Sequence, residues 1–201
     1  MRFLYVKIPF TCVRVSLAAF VMAAALFYAD FSVFTAIVLI SAAIHEAGHL
    51  TALSVLGAKI YGVTVLPFGA VIRSDAERLP YAREAAVALA GALFNFAAGL
   101  SAEVFYLLHH DMYSLFFCAS NFFLAAVNLI PVRTLDGGRA LEAMLYAKLP
   151  PEKAERYAES VSYIAFVVLT FAALAMLAVT GCNFSLIVLC VYLFLCVYAK
   201  R

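Results

Sequence analysis

Six apolar stretches, each near the length that crosses a lipid bilayer, occupy most of this 201-residue chain. They are Phe10–Tyr28, Phe31–Leu56, Ala85–Leu108, Tyr113–Ile130, Val161–Thr180 and Phe184–Tyr198. A helix needs about 20 consecutive apolar residues to span the hydrocarbon core. Hydrophobic residues make up 67% of the sequence and charged residues 13%, against about 45–50% and about 25% in a soluble domain. A small globule has too little interior to hide so many apolar side chains. A soluble enzyme, a nucleic-acid binder and a disordered tail are therefore excluded. The expected fold is an all-α polytopic membrane protein with six transmembrane helices, forming one membrane-embedded domain over residues 1–201.

The basic residues orient these spans. Arg2, Lys7 and Arg14 precede or open the first span; Lys59, Arg73, Arg78 and Arg83 lie between the second and third. Arg133, Arg139, Lys148, Lys153 and Arg156 fall between the fourth and fifth, and Lys200 and Arg201 follow the sixth. All 14 Lys and Arg residues thus map to one side, which the positive-inside rule makes cytoplasmic, with both termini there. The first span, with basic residues before it, resembles a secretory signal. Phe27 and Tyr28 crowd the place where cleavage would occur, so a retained helix is expected. The five cysteines are scattered without a CxxC pair and indicate neither a disulfide framework nor a metal-binding cysteine set. The net charge of +2 implies no polyanionic partner.

Two cytoplasmic segments have their own character. Lys59–Asp75 (KIYGVTVLPFGAVIRSD) is rich in β-branched and aromatic residues, punctuated by Pro67 and Gly69, which predicts a membrane-associated β-hairpin between the second and third helices. Irregular or extended backbone survives at membrane depth only where protein or a wet cavity satisfies it. An exposed hairpin edge there can capture an extended peptide by strand addition, or the hairpin can lie passively on the bundle. Pro150–Ser160 (PPEKAERYAES) is charged and helical in composition, and reads as a solvated connector.

Charged side chains within spans cost at least about 2.5–3.5 kcal/mol each and mark functional sites. The second span contains His45, Glu46 and His49 in the string IHEAGHL. Histidines at i and i+4 share a helix face, so both imidazoles can reach one metal ion. Glu46, directly after the first His, can act as general base; this is the HExxH pattern of zinc hydrolases. Catalytic zinc usually takes three protein ligands and leaves a position open for water. Asp136, in NLIPVRTLDGGR, is the best candidate for the third, because Pro131 breaks the fourth helix and Gly137–Gly138 permit an abrupt turn. On its own, Asp136 reads better as the N-cap of a helix over Gly137–Ala147. Glu103 near the outer face, and His109 and His110 in an outer loop, are not expected to be ligands. Asn95 and Asn121 read as ordinary hydrogen-bonding residues between helices.

HEAGH in an apolar helix, followed some ninety residues later by NLIPVRTLDGG, resembles the site-2 protease family of intramembrane zinc metalloproteases. LPFGAVI (Leu66–Ile72) is similar to the family's hairpin string and AGALFN (Ala90–Asn95) to its Ala-Gly-Pro-x-x-Asn segment, with Ala92 in place of the Pro and Ala70 in place of a second Gly. The resemblance implies zinc held by His45, His49 and Asp136, Glu46 as catalytic base, and Asn128 holding the substrate backbone. It also implies hydrolysis of a peptide bond in or beside a transmembrane segment of a membrane-tethered protein, in a prokaryotic cell membrane, at a site opening to the cytoplasm. Within the family, the six-span layout and VNLIPVRTLDGGR are most similar to the sporulation branch that releases a tethered sigma-factor precursor. The 201 residues include neither that branch's CBS domain nor a PDZ insertion. A metal- or proton-coupled transporter is the alternative use of such a His/Glu/Asp cluster. It would need polar residues continuing along a path to the outer face, where little stands beyond Glu103.

Overall fold

The computed structural model describes residues 3–8, 11–29, 32–66, 69–76, 79–181, 190, 191, 193 and 194. They fall into two compact units, Met1–Val127 and Asn128–Arg201.

The first unit opens with two short strands, β1 (Phe3–Ile8) and β2 (Thr11–Ser16), followed by helix α1 (Leu17–Ala29). The helix expected from Phe10 therefore begins only at Leu17, where Ser16 Oγ accepts the Ala19 N–H at 3.1 Å. The apolar count could not separate the two states here. Thr11, Val13 and Val15 alternate with Cys12, Arg14 and Ser16, a β-branched period-2 pattern that forms a strand once a partner is at hand. The partners are β1, antiparallel from Phe3↔Ser16 to Ile8↔Thr11, and β3, parallel from Cys12↔Gly62 to Val15↔Val65.

Strands β3 (Ile60–Leu66) and β4 (Gly69–Ser74) form the predicted hairpin, paired from Ile60↔Ser74 to Leu66↔Gly69. Asp75 closes its base, accepting the Lys59 N–H at 2.6 Å. The sheet order is β1-β2-β3-β4, so the isolated hairpin expected from sequence is half of a four-stranded sheet. β3 is interior, and β4 is an edge among the described residues.

Helix α2 (Val33–Val55) connects α1 to β3 and is N-capped by Ser32, whose side chain accepts the Thr35 N–H. It packs on α3 (Tyr81–His109) through small residues. A Cβ on Gly48 would lie 2.6 Å from the Ala90 carbonyl oxygen and 2.9 Å from Gly91 Cα. Helices that cannot use the hydrophobic effect against lipid gain their packing from such close backbone approach. Helix α4 (Met112–Asn128) begins at Asp111, whose Oδ1 accepts the Ser114 N–H at 2.9 Å. Hydrogen bonds from Ser114 hold the Asp111 carboxyl below its ordinary range. Gly99 of α3 admits the Phe122 ring, which would stand 2.9 Å from a Cβ there.

The second unit contains α5 (Asp136–Tyr146) and α6 (Pro151–Thr180). The segment Pro150–Ser160, expected as a connector, is instead the first third of α6 and runs unbroken into the fifth span. Pro150 and Pro151 cost nothing at the helix start, where N–H groups have no intrahelical acceptor. Gly181, at φ 70°, ends the helix in the left-handed conformation. The span expected over Phe184–Tyr198 lies outside the described residues apart from 190, 191, 193 and 194.

Among the described residues, three helices, α2, α3 and α6, are long and apolar enough to cross a membrane; α4 is apolar but shorter. Their outward faces carry large exposed apolar side chains such as Leu93, Val104, Leu108, Ile164 and Phe171. That is the surface of a protein dissolved in lipid.

Candidate active site

His45 and His49 lie one turn apart on α2, both buried, with 6% and 8% of their surface exposed. Their hydrogen bonds fix which ring nitrogen carries the proton. His49 Nδ1 is 2.8 Å from the Val87 carbonyl oxygen, an acceptor only, so Nδ1 bears the hydrogen. His45 Nδ1 is 2.7 Å from Asn95 Oδ1. The Asn95 amide cannot be turned round, because its NH2 donates to the Ser41 carbonyl at 2.9 Å and to Asn121 Oδ1 at 2.7 Å. Asn121 is fixed in turn: its NH2 donates to the Phe117 carbonyl and to Ser41 Oγ, each at 2.9 Å. Ser41 passes its own hydrogen to the Ile37 carbonyl at 3.0 Å. A chain of acceptor-only groups thus dictates a hydrogen on His45 Nδ1. In the neutral rings, Nε2 is then the nitrogen without a hydrogen in each.

These two nitrogens are 3.2 Å apart. Two lone pairs at that separation repel unless a cation lies between them. Nitrogens bonded at about 2.0–2.1 Å to one tetrahedral ion stand about 3.3 Å apart, so the pair fits two corners of such a site. Gly91 on α3 makes room for both rings. A Cβ there would collide with His49 Nε2 and lie 2.7 Å from His45 Cε1.

Glu46 faces the sheet. Its Oε1 accepts the Ala70 N–H of β4 at 3.0 Å. Gly69, just before, has φ 133°, a conformation open to glycine alone, and a Cβ there would be 3.5 Å from the same Oε1. His45, Glu46 and His49 therefore stand together on α2, with the carboxylate turned towards the hairpin.

In the second unit Asp136 is buried and is the first residue of α5. The N-cap is Leu135, which has no polar side chain. Capping therefore does not account for Asp136. Gly137 and Gly138 are helical rather than turn residues, and their role is close approach. A Cβ on Gly137 would run into the Leu129 carbonyl and lie 2.9 Å from the Ile130 oxygen; one on Gly138 would run into the Val132 carbonyl and lie 2.7 Å from the Arg133 nitrogen. The loop that presents Asp136 is tied down by Arg133, whose N–H reaches Ser162 Oγ at 2.9 Å. Its guanidinium meets Glu142 at 2.9 Å, Glu159 at 3.3 Å and Glu155 at 3.5 Å. Glu142 in particular raises the Arg133 pKa. Asn128 is the last residue of α4.

Asn95, Asn121 and Gly91 hold the histidines in place, a role that neither the AGALFN string nor a reading of the asparagines as interhelical hydrogen-bonding residues assigns to them. An amide in an apolar helix signals a hydrogen-bond partner but does not say which. Gly91 carries no chemical signal of its own.

Residues 105–170 match peptidase family M50, a stretch that includes the Asn128–Gly138 string. A zinc metalloprotease of Methanocaldococcus jannaschii is 32% identical over 143 residues, covering 68% of this chain and 42% of that protein. The match to peptidase family M50 covers a third of the chain. Stage IV sporulation protein FB of Bacillus subtilis is 36% identical over 118 residues, covering 56% of this chain and 40% of the relative. The chain thus spans about two fifths of the length of the curated relatives it matches. A solved site-2 protease from Methanocaldococcus jannaschii shares the fold, with a TM-score of 0.68 at 23% identity over 96% of this chain and 92% of that one.

Proposed function

We propose that this protein is an intramembrane zinc metallopeptidase that hydrolyses a peptide bond in or next to a transmembrane segment of a membrane-tethered protein. The observation that carries the reading is the pair of Nε2 atoms of His45 and His49, 3.2 Å apart and aligned by the buried hydrogen bonds that their Nδ1 atoms make, on the same helix as Glu46. Asp136 is assigned as the third zinc ligand, on its burial, its place at the start of α5 and the motif around it. When bound, zinc supplies a Lewis acid for the scissile carbonyl and lowers the pKa of a bound water towards about 7. Glu46 takes a proton from the attacking water and returns it to the leaving amine. Asn128 holds the substrate backbone beside the scissile bond. A helical peptide bond is shielded by its own hydrogen bonds, so the substrate unwinds locally and pairs with the free edge of β4.

The reading extends to six spans with both termini in the cytoplasm of a prokaryotic cell, where all the Lys and Arg residues collect. The site then opens on the cytoplasmic side. The similarity to the sporulation protein supports a sigma-factor precursor, or another tethered regulator, as substrate. The test needs no substrate. Wild type, Glu46→Gln and Asp136→Ala are purified in detergent and bound zinc is counted per chain. About one zinc in wild type and Glu46→Gln, with loss in Asp136→Ala, is expected from three-ligand tetrahedral coordination. No zinc in wild type, or full zinc in Asp136→Ala, overturns the assignment and favours a transporter.

A further inference from the structure

We infer that Glu46 and an incoming peptide strand compete for one backbone donor, the N–H of Ala70, so that docking of the substrate releases the general base. This rests on the proposed use of the β4 edge and of Glu46 as base.

In an antiparallel pair, successive residues of a strand point their N–H groups alternately towards the partner and away from it. β3 is flanked on both sides, by β2 and β4, so the edge open to a guest strand on this side of the sheet is that of β4. Ala70 pairs opposite Val65, yet its N–H goes to Glu46 Oε1. It is therefore an outward-facing donor of the edge. Ile72, two residues on, has the same parity. A guest strand pairing along β4 calls on the N–H groups of Ala70 and Ile72, and its carbonyl must come to rest where the Glu46 carboxylate lies. Both acceptors cannot use one hydrogen at full strength.

The backbone is shaped for this contact. Gly69, at φ 133°, delivers the following N–H to the carboxylate in a backbone conformation that a side chain would strain. The exchange is a swap of hydrogen-bond acceptors. Ala70 N–H···Oε1 breaks and Ala70 N–H···O=C of the guest forms, with no covalent change. Before docking, Oε1 is tied to the hairpin; after docking, Oε1 has given up that donor and the carboxylate is a stronger acceptor for a proton from water. Occupancy of the edge and readiness of the base become one event.

Two variants without the base separate competition from catalysis. Glu46→Gln keeps a carbonyl acceptor in place, whereas Glu46→Ala removes it at a position where alanine is the best helix former. The probe is a fluorescein-labelled decapeptide of alternating Thr and Val with a two-lysine tail, titrated into metal-free protein in detergent. Glu46→Ala is expected to bind it about tenfold more tightly than Glu46→Gln, the scale of one hydrogen bond of about 1.4 kcal/mol. Equal affinities overturn the inference. Without peptide, the Ala70 amide should exchange its hydrogen at least about tenfold faster in Glu46→Ala than in wild type, and near the wild-type rate in Glu46→Gln. An unchanged Ala70 rate in Glu46→Ala also overturns it. Failure of every variant to bind the peptide overturns strand docking itself, and the inference with it. Zinc content of the same wild-type preparation tests the metal reading separately.

Discussion

In the first unit the chemistry is held by neutral amides sealed from solvent, whereas in the second it is held by glycine-to-backbone packing and by ion pairs at the surface. Ser41, Asn95 and Asn121 are each at most 1% exposed, and every side-chain hydrogen in their chain goes to a carbonyl, an amide oxygen or the Ser41 hydroxyl. The Arg133 side chain is 37% exposed, and Glu155 and Glu159 more than half so. Buried amides in an apolar medium have no water to replace a lost partner. Exposed ion pairs do, and salt screens them. The histidines, as proposed ligands, need a fixed tautomer and receive it from this network. Asp136, as the proposed third ligand, needs only a fixed backbone position, which Gly137 and Gly138 supply.

The largest break in this contrast is expected at Gly91. Gly91→Ala drives a methyl group into both imidazoles and should weaken metal binding by at least about 100-fold while the helices still form. Zinc content and far-UV circular dichroism, measured together, check it; full zinc in Gly91→Ala would mean that α3 yields. Gly137→Ala puts a methyl group against the Leu129 carbonyl and should cost about 3 kcal/mol of stability by overpacking against backbone, read as a lowered thermal midpoint in detergent. Asn95→Leu removes the acceptor that fixes His45 and should lower metal affinity about 10–100-fold. Asn95→Asp keeps an acceptor towards Nδ1 but turns a second oxygen towards the Ser41 carbonyl and Asn121 Oδ1, so it should recover only part of that loss; full metal affinity in Asn95→Leu would make Asn95 a packing residue only. Arg133→Ala should cost under about 1 kcal/mol, and the cost should shrink in high salt. The Asn95→Leu defect should be the same at both ionic strengths.

The HExxH residues, the extent of α2 and the β3–β4 hairpin were legible because each is a local pattern: an i, i+4 pair, an apolar run, a β-branched alternation around Pro and Gly. What was not legible depends on partners distant in sequence. Thr11–Ser16 reads as the start of a helix until β3, some fifty residues on, offers a parallel edge. Asn95 and Asn121 read as generic glue because their bond to His45 is set by the crossing of three helices. Gly137 and Gly138 read as a turn because glycine alone does not distinguish a positive φ from a close approach. Asp136 read on its own as a cap, and only the surrounding motif argued otherwise; Leu135 in the capping position agrees with the motif.

The thirteen residues of α1, upright, reach about 20 Å, whereas the hydrocarbon layer of a membrane is about 30 Å deep. Strand pairing of Thr11–Ser16 with β3 keeps those residues from lengthening the helix. Where α1 spans the membrane, as the proposed topology has it, lipid beside it must thin, or its headgroups must dip, to meet the helix ends. Under that topology the protein carries with it a patch of shallow bilayer beside α1, where water stands nearer the midplane.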